Sequence, residues 1–152
     1  MGESIESYFR YEDDPDLPGW KRWELTRPGL FNQFIGPIHV RPEDGMVRVR
    51  MMPRSEHGNL RGDIHGGALM GFLDLALFAA ARGFGIITAG PAATVEMSTQ
   101  FIGGAALDRP VEAHIELLRE TGRFLFLRGL VDQDGETVAS FSALIRKPSQ
   151  PR

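Results

Sequence analysis

The chain contains no cysteine and almost no lysine. Without thiols it has no disulfide, no thiolate nucleophile and no cysteine-ligated metal. Of its seventeen basic residues only Lys21 and Lys147 are lysines, so its cations are mostly arginines, whose planar fork suits phosphates and carboxylates. A net charge of −3 gives no electrostatic case for nucleic acid or an anionic membrane. Met1 to Glu6 show no basic segment leading into an apolar run, so no signal peptide is expected. The longest apolar stretch is broken by a carboxylate and is shorter than the ~20 residues of a membrane span. A cytoplasmic chain is the expectation. Repeats and low-complexity tracts are also missing. His57 and His114 stand without sequence partners, and neither a metal nor a cofactor is expected.

What is present is one domain's worth of ordinary composition: 152 residues, 42% hydrophobic and 24% charged. Residues 1–32 are rich in aromatics and turn formers, with Asp13-Asp-Pro-Asp-Leu-Pro-Gly19 a clear turn, and read as an extension that is helical in part. Residues 33–148 read as the main domain. Residues 33–41 and 46–52 read as a hairpin around Pro42-Glu-Asp-Gly45, the second strand alternating as Met46-Val-Arg-Val-Arg-Met-Met52. A polar loop precedes a helix from about Gly66 to Arg82, stopped by Gly83-Phe-Gly85. Four strand-like runs follow, at 92–102, 110–119, 123–132 and 136–147, with hairpin turns at Arg119-Glu-Thr-Gly122 and Asp132-Gln-Asp-Gly135. The helix is apolar on nearly every side and must be wrapped by the strands. The expected class is α+β: an antiparallel sheet of five to six strands around one long central helix, the hot-dog architecture.

The chemistry centres on Asn59-Leu-Arg-Gly-Asp-Ile-His65-Gly66-Gly67-Ala-Leu-Met-Gly-Phe-Leu-Asp74. From Gly66 to Ala81 the helix carries one charge, Asp74. A lone carboxylate there is costly unless something uses or satisfies it. The helix N-terminus offers free N–H groups and a positive dipole end to a developing oxyanion, and Gly66 and Gly67 let a ligand approach the backbone. Asp74 lies eight residues on, about 12 Å along the axis at ~1.5 Å per residue. Oxyanion site and carboxylate can therefore meet only between two copies of the chain, which predicts a homodimer with interfacial sites.

These residues resemble the phenylacetate-pathway (PaaI-type) acyl-CoA thioesterases of the hot-dog superfamily. Asn59 stands six residues before His65, and Asp74 nine after it, as in that pattern. The resemblance extends through Thr94-Val-Glu-Met-Ser-Thr-Gln-Phe101, Gly122-Arg123 and Asp132 to Ala139. It implies an acyl-CoA thioesterase, a homodimer or dimer of dimers. Asp74 would be general base or nucleophile, the Gly66 N–H the oxyanion donor, and Asn59 a support for the carbonyl or water. Thr94 would position water, and His65 would hold the loop. Gly67, Arg61 and Arg123 would contact substrate, with Arg128 and Arg146 further candidates for coenzyme A phosphates. The family's Arg-Pro or Ser-Pro after the strand is replaced by Gly103-Gly104-Ala105. Two alternatives stay open: a dehydratase or hydratase pairing His65 with Asp74, and a non-catalytic acyl-CoA binding module. The dehydratase string His-Phe-Pro-Gly does not occur, and a binding module would not need Asp74.

Overall fold

A computed structural model describes residues 5–87 and 92–149. Its elements are β1 (Phe9–Asp13), β2 (Lys21–Leu25), α1 (Phe31–Ile35), β3 (Ile38–Glu43), β4 (Met46–Met51), α2 (Gly66–Gly83), β5 (Ala93–Phe101), β6 (Val111–Glu120), β7 (Phe124–Gln133) and β8 (Glu136–Arg146). The strands form one antiparallel sheet in the order β1-β2-β3-β4-β6-β7-β8-β5, curved around α2. The hot-dog class holds, but the sheet has eight strands, not five or six.

The two unexpected strands come from the N-terminal segment. The Asp13–Gly19 turn closes a hairpin, and Trp23 on β2 pairs with Ile38 on β3, so the hairpin extends the main sheet. Residues 21–25 form a strand because Trp23 faces the core while its neighbours are less buried; the helical part of the segment is one 3-10 turn at Ile5–Tyr8. The run at 33–41 is also two elements. Phe31–Ile35 is a short helix, ended by Gly36 at φ 85, and the strand begins at Ile38. Only Ile35 of that helix is buried, so its other side chains take no part in the β alternation.

The core is α2 packed in the concave face. Leu69, Phe72, Leu73, Ala76, Leu77 and Ala80 are buried against Val47, Val49, Ile115, Leu125, Leu127 and Ile145. By length and composition α2 could cross a membrane, but ten of its residues are buried inside the sheet. Gly83 lets the end of the helix approach β3 and β4: a Cβ there would lie 3.0 Å from Val47 and 3.1 Å from Val40. Gly85, at φ 74, turns the chain away. One stripe of α2 stays partly open, comprising Gly67, Met70, Gly71, Asp74 and Phe78. These positions recur at helical spacing and share a face.

Candidate active site

The loop before α2 is built on its own side chains. Asn59 Oδ1 accepts hydrogen bonds from the backbone N–H groups of Arg61 (2.9 Å) and Asp63 (3.1 Å). The Asn59 N–H donates to the Asp63 carbonyl at 2.8 Å, and Gly62 adopts φ 83, so the loop closes on itself. The Ile64 N–H donates to Ala105 O at 2.8 Å and the His65 N–H to His57 O at 2.7 Å, which tie the loop to the body.

His65 caps α2: its Nδ1 accepts from the Gly67 N–H at 2.8 Å. An accepting Nδ1 carries no proton, so the ring proton is assigned to Nε2. The neighbouring Gly66 N–H has no partner among the described residues. It opens on a cavity of about 900 Å³ lined by Asn59, Arg61, His65, Gly66, Phe101 and Gly104, among others. At the Gly103-Gly104 departure the backbone lies close to Asp63. A Cβ on Gly104 would lie 2.7 Å from Asp63 Oδ2. Asp63, which the sequence did not single out, thus lines the cavity against Gly104, and its carboxylate would have to move for a larger residue there.

Asp74 belongs to a different place. It lies on the open stripe of α2 and is absent from the lining of that cavity. The Thr94 Oγ1–H donates to its Oδ1 at 2.6 Å, bringing β5 onto the carboxylate across twenty residues of sequence. Further along β5, Thr99 carries a shielded hydroxyl with no partner among the described residues. It sits between Thr94 and Phe101, and nothing in the sequence marked it. One copy of the chain therefore holds Asn59, Arg61, His65, Gly66 and Gly67 at one end of α2, and Asp74 with Thr94 two turns away. Arg123 joins neither group. It is exposed in the turn between β6 and β7, near Arg146, which pairs with Ala93 at the Thr94 end of the sheet.

The convex face carries a second polar cluster. Both oxygens of Glu112 are held by arginines, Oε2 by Arg48 Nη2 and Oε1 by Arg50 Nη2, each at 2.6 Å. Burial pushes the Glu112 carboxyl up, but these hydrogen bonds outweigh it and hold it below its ordinary value. Trp20 covers both guanidinium groups, at 5.3 and 4.7 Å from its ring centre. His114 bonds Asp132 at 2.5 Å, so it has a partner the sequence did not reveal. Glu112, His114 and Asp132 place ligand atoms within 4.8 Å of one another. A cation there would have to displace two arginines from Glu112.

The Thioesterase superfamily profile matches residues 61–140. A mutant of the phenylacetic acid degradation protein PaaI from Thermus thermophilus superposes with a TM-score of 0.62 at 25% identity, over 77% of this chain and 97% of that one. A hypothetical thioesterase protein with coenzyme A from Streptococcus pneumoniae gives 0.64 at 18% identity, over 76% and 88%. The PaaI protein from the E. coli phenylacetic acid degradation operon gives 0.64 at 18% identity, over 77% and 83%. No curated protein sequence matches significantly. The family profile spans more than half of the chain, including the helix with Asp74 and the strand with Thr94. The chain belongs to the thioesterase superfamily, as a PaaI-type hot-dog protein.

Proposed function

We propose that the protein is an acyl-CoA thioesterase that hydrolyses an acyl or aryl-acyl thioester to free acid and coenzyme A. The observation that carries this reading is Asp74, a carboxylate on the open face of an otherwise apolar helix, with Thr94 bonded to it at 2.6 Å. Few parts are needed. The thioester oxygen accepts from the Gly66 N–H at the positive end of α2. Asp74 then accepts a proton from water as the water oxygen bonds the carbonyl carbon, the C–S bond breaks, and the proton passes to the departing thiolate. Alternatively the carboxylate attacks the carbon itself, and the C–S bond breaks with departure of the thiolate. Water then hydrolyses the resulting anhydride, which releases the acid, restores the Asp74 carboxylate and supplies the thiol's proton. Both routes use the same side chains.

The separation of the two halves makes the site a property of two copies. The loop and Gly66 come from one, Asp74 and Thr94 from the other. The edge strand β5 supports this, since it pairs with β8 on one side only and leaves backbone groups open on the other. Arg61, exposed at the cavity, would meet coenzyme A phosphates from the loop side. Arg123 and Arg146, at the Thr94 end, would come from the partner. That the similar Streptococcus protein was solved with coenzyme A favours this ligand. The dehydratase alternative needs a histidine free to move protons, whereas the His65 Nδ1 is committed to capping α2.

The test is free-thiol release from acetyl-, octanoyl-, phenylacetyl- and benzoyl-CoA, comparing wild type with Asp74→Asn. The reading expects turnover of at least one thioester and a loss of about 10²–10⁴-fold in kcat in the variant. Turnover that survives the substitution would make Asp74 structural. No turnover of any thioester, with tight binding retained, would favour a binding module.

A further inference from the structure

We propose that Phe31 of α1 is the platform on which the acyl group rests beside Asp74, and that this short helix tunes the enzyme toward apolar acyl groups, aromatic or medium-chain. This rests on the thioesterase reading above. Gly71 lies on the open stripe of α2, one turn before Asp74. A Cβ on Gly71 would lie 2.7 Å from Phe31 Cζ and 3.2 Å from Ile35 Cδ1. The Phe31 ring therefore fills the space a side chain at 71 would take. It lies against the helix backbone about 4.5 Å in rise from Asp74, at ~1.5 Å per residue.

Phe31 is nonetheless 56% exposed, and Phe34, 6.0 Å away ring to ring, is 40% exposed. Large apolar side chains left open together mark a binding face. A helix of five residues has no stability of its own, yet α1 is held at several points. The Arg54 guanidinium donates to the carbonyls of Gln33 and Phe34. Gln33 Nε2 donates to Leu25 O at 2.7 Å. His57, fully buried, accepts the Arg54 N–H on Nδ1 at 3.0 Å, so its Nε2–H donates to Phe34 O at 2.7 Å. The Phe34 ring meets the His57 ring edge-on at 4.9 Å. This much anchoring of exposed rings pre-organises a surface for a ligand.

The stripe tells which ligand. A thioester carbon within reach of Asp74 has its thiol arm directed to the coenzyme A contacts, and its acyl carbons run along α2. Phe31 borders the stripe on one side and Thr94 of β5 on the other. A flat ring with one open face suits an aryl or alkyl chain and gives nothing to an acetyl group too short to reach it. The helix α1 lies outside the family match at 61–140.

The experiment measures kcat and KM for acetyl-, octanoyl- and phenylacetyl-CoA in wild type, Phe31→Ala and Gly71→Ala, with the oligomeric state of each from light scattering. Gly71→Ala pushes the ring aside without removing it. Both variants should raise KM for the two larger substrates, so that their kcat/KM relative to acetyl-CoA falls about tenfold. An unchanged ratio, a uniform loss of kcat on all three substrates, or dissociation of the dimer would each overturn the platform while leaving the thioesterase reading intact. Absence of turnover in the wild type would overturn both.

Discussion

At the scale of single residues, the bond between Thr94 and Asp74 separates chemistry from packing. Thr94→Val keeps the shape of the side chain and removes its donor. If the hydroxyl orients the carboxylate or its water, kcat should fall about 10–100-fold with KM nearly unchanged, and Thr94→Ser should restore most of it. A packing role would instead lower thermal stability without separating kcat from KM. Glu112 gives the pH counterpart. Its folded carboxyl lies below its ordinary value. A depressed carboxyl adds stability at any pH above its unfolded value, and that stability drains away as pH falls through the folded value. Glu112→Gln should therefore cost about 3 kcal/mol near neutral pH, since it leaves Arg48 and Arg50 poorly compensated. Urea unfolding at neutral and strongly acidic pH checks this: the gap between wild type and variant should close on the acid side. Among these residues Asp74 and Thr94 were legible in the sequence, because a carboxylate in an apolar helix and a motif offset both point at them. Asp63, Thr99 and the Asp132 partner of His114 were not, because they depend on side-chain placement across a loop or a hairpin that no motif marks.

At the scale of elements, α2 was readable almost to its ends because its caps are chemical. His65 provides the acceptor at one end and Gly85 the left-handed turn at the other. His65→Ala should cost about 1 kcal/mol of stability through the lost cap, measured by denaturant unfolding. Of the last four strands, β6, β7 and β8 were readable because buried positions recur along them and glycine-containing turns join them, whereas β5 was readable only as a strand-like run, since none of its residues is buried. The sheet's first two strands were not. On β1 no residue is buried, so no alternation survives to be read. The helix α1 was hidden inside Phe31-Asn-Gln-Phe-Ile35, a run too short to choose between periods of 2 and 3.6. Register brings its own constraint at Gly129 on β7. A Cβ there would lie 2.2 Å from the His114 carbonyl oxygen and 2.7 Å from the Phe141 ring. A backbone oxygen in the middle of a sheet cannot yield as a flexible side chain can. Gly129→Ala should therefore destabilise the fold by about 3 kcal/mol, a larger effect than loss of the α2 cap.

At the scale of the molecule, the two halves of the site must be traced to their chains. Gly66 and Asp74 are eight residues apart on one straight helix, and only the first opens on the cavity. If each site joins the loop of one copy to Asp74 of another, two different inactive variants should repair each other. Asp74→Asn supplies one defect. Gly66→Pro supplies the other, because it deletes the N–H proposed as oxyanion donor at a position where proline fits. The first position of a helix tolerates proline, and His65 at φ −63 and ψ 138 already has the extended backbone that proline demands of its predecessor. A Cβ at Gly66 would meet only the Phe101 ring, at 3.5 Å, an ordinary contact. Each variant alone should be inactive. After unfolding and refolding a 1:1 mixture, about half of the dimers are mixed, and each mixed dimer has one site with both defects and one with none. Thiol release should then recover to about a quarter of the wild-type rate. Sites complete within one chain would recover nothing, because every chain in the mixture carries a defect, and that result would remove the interfacial site.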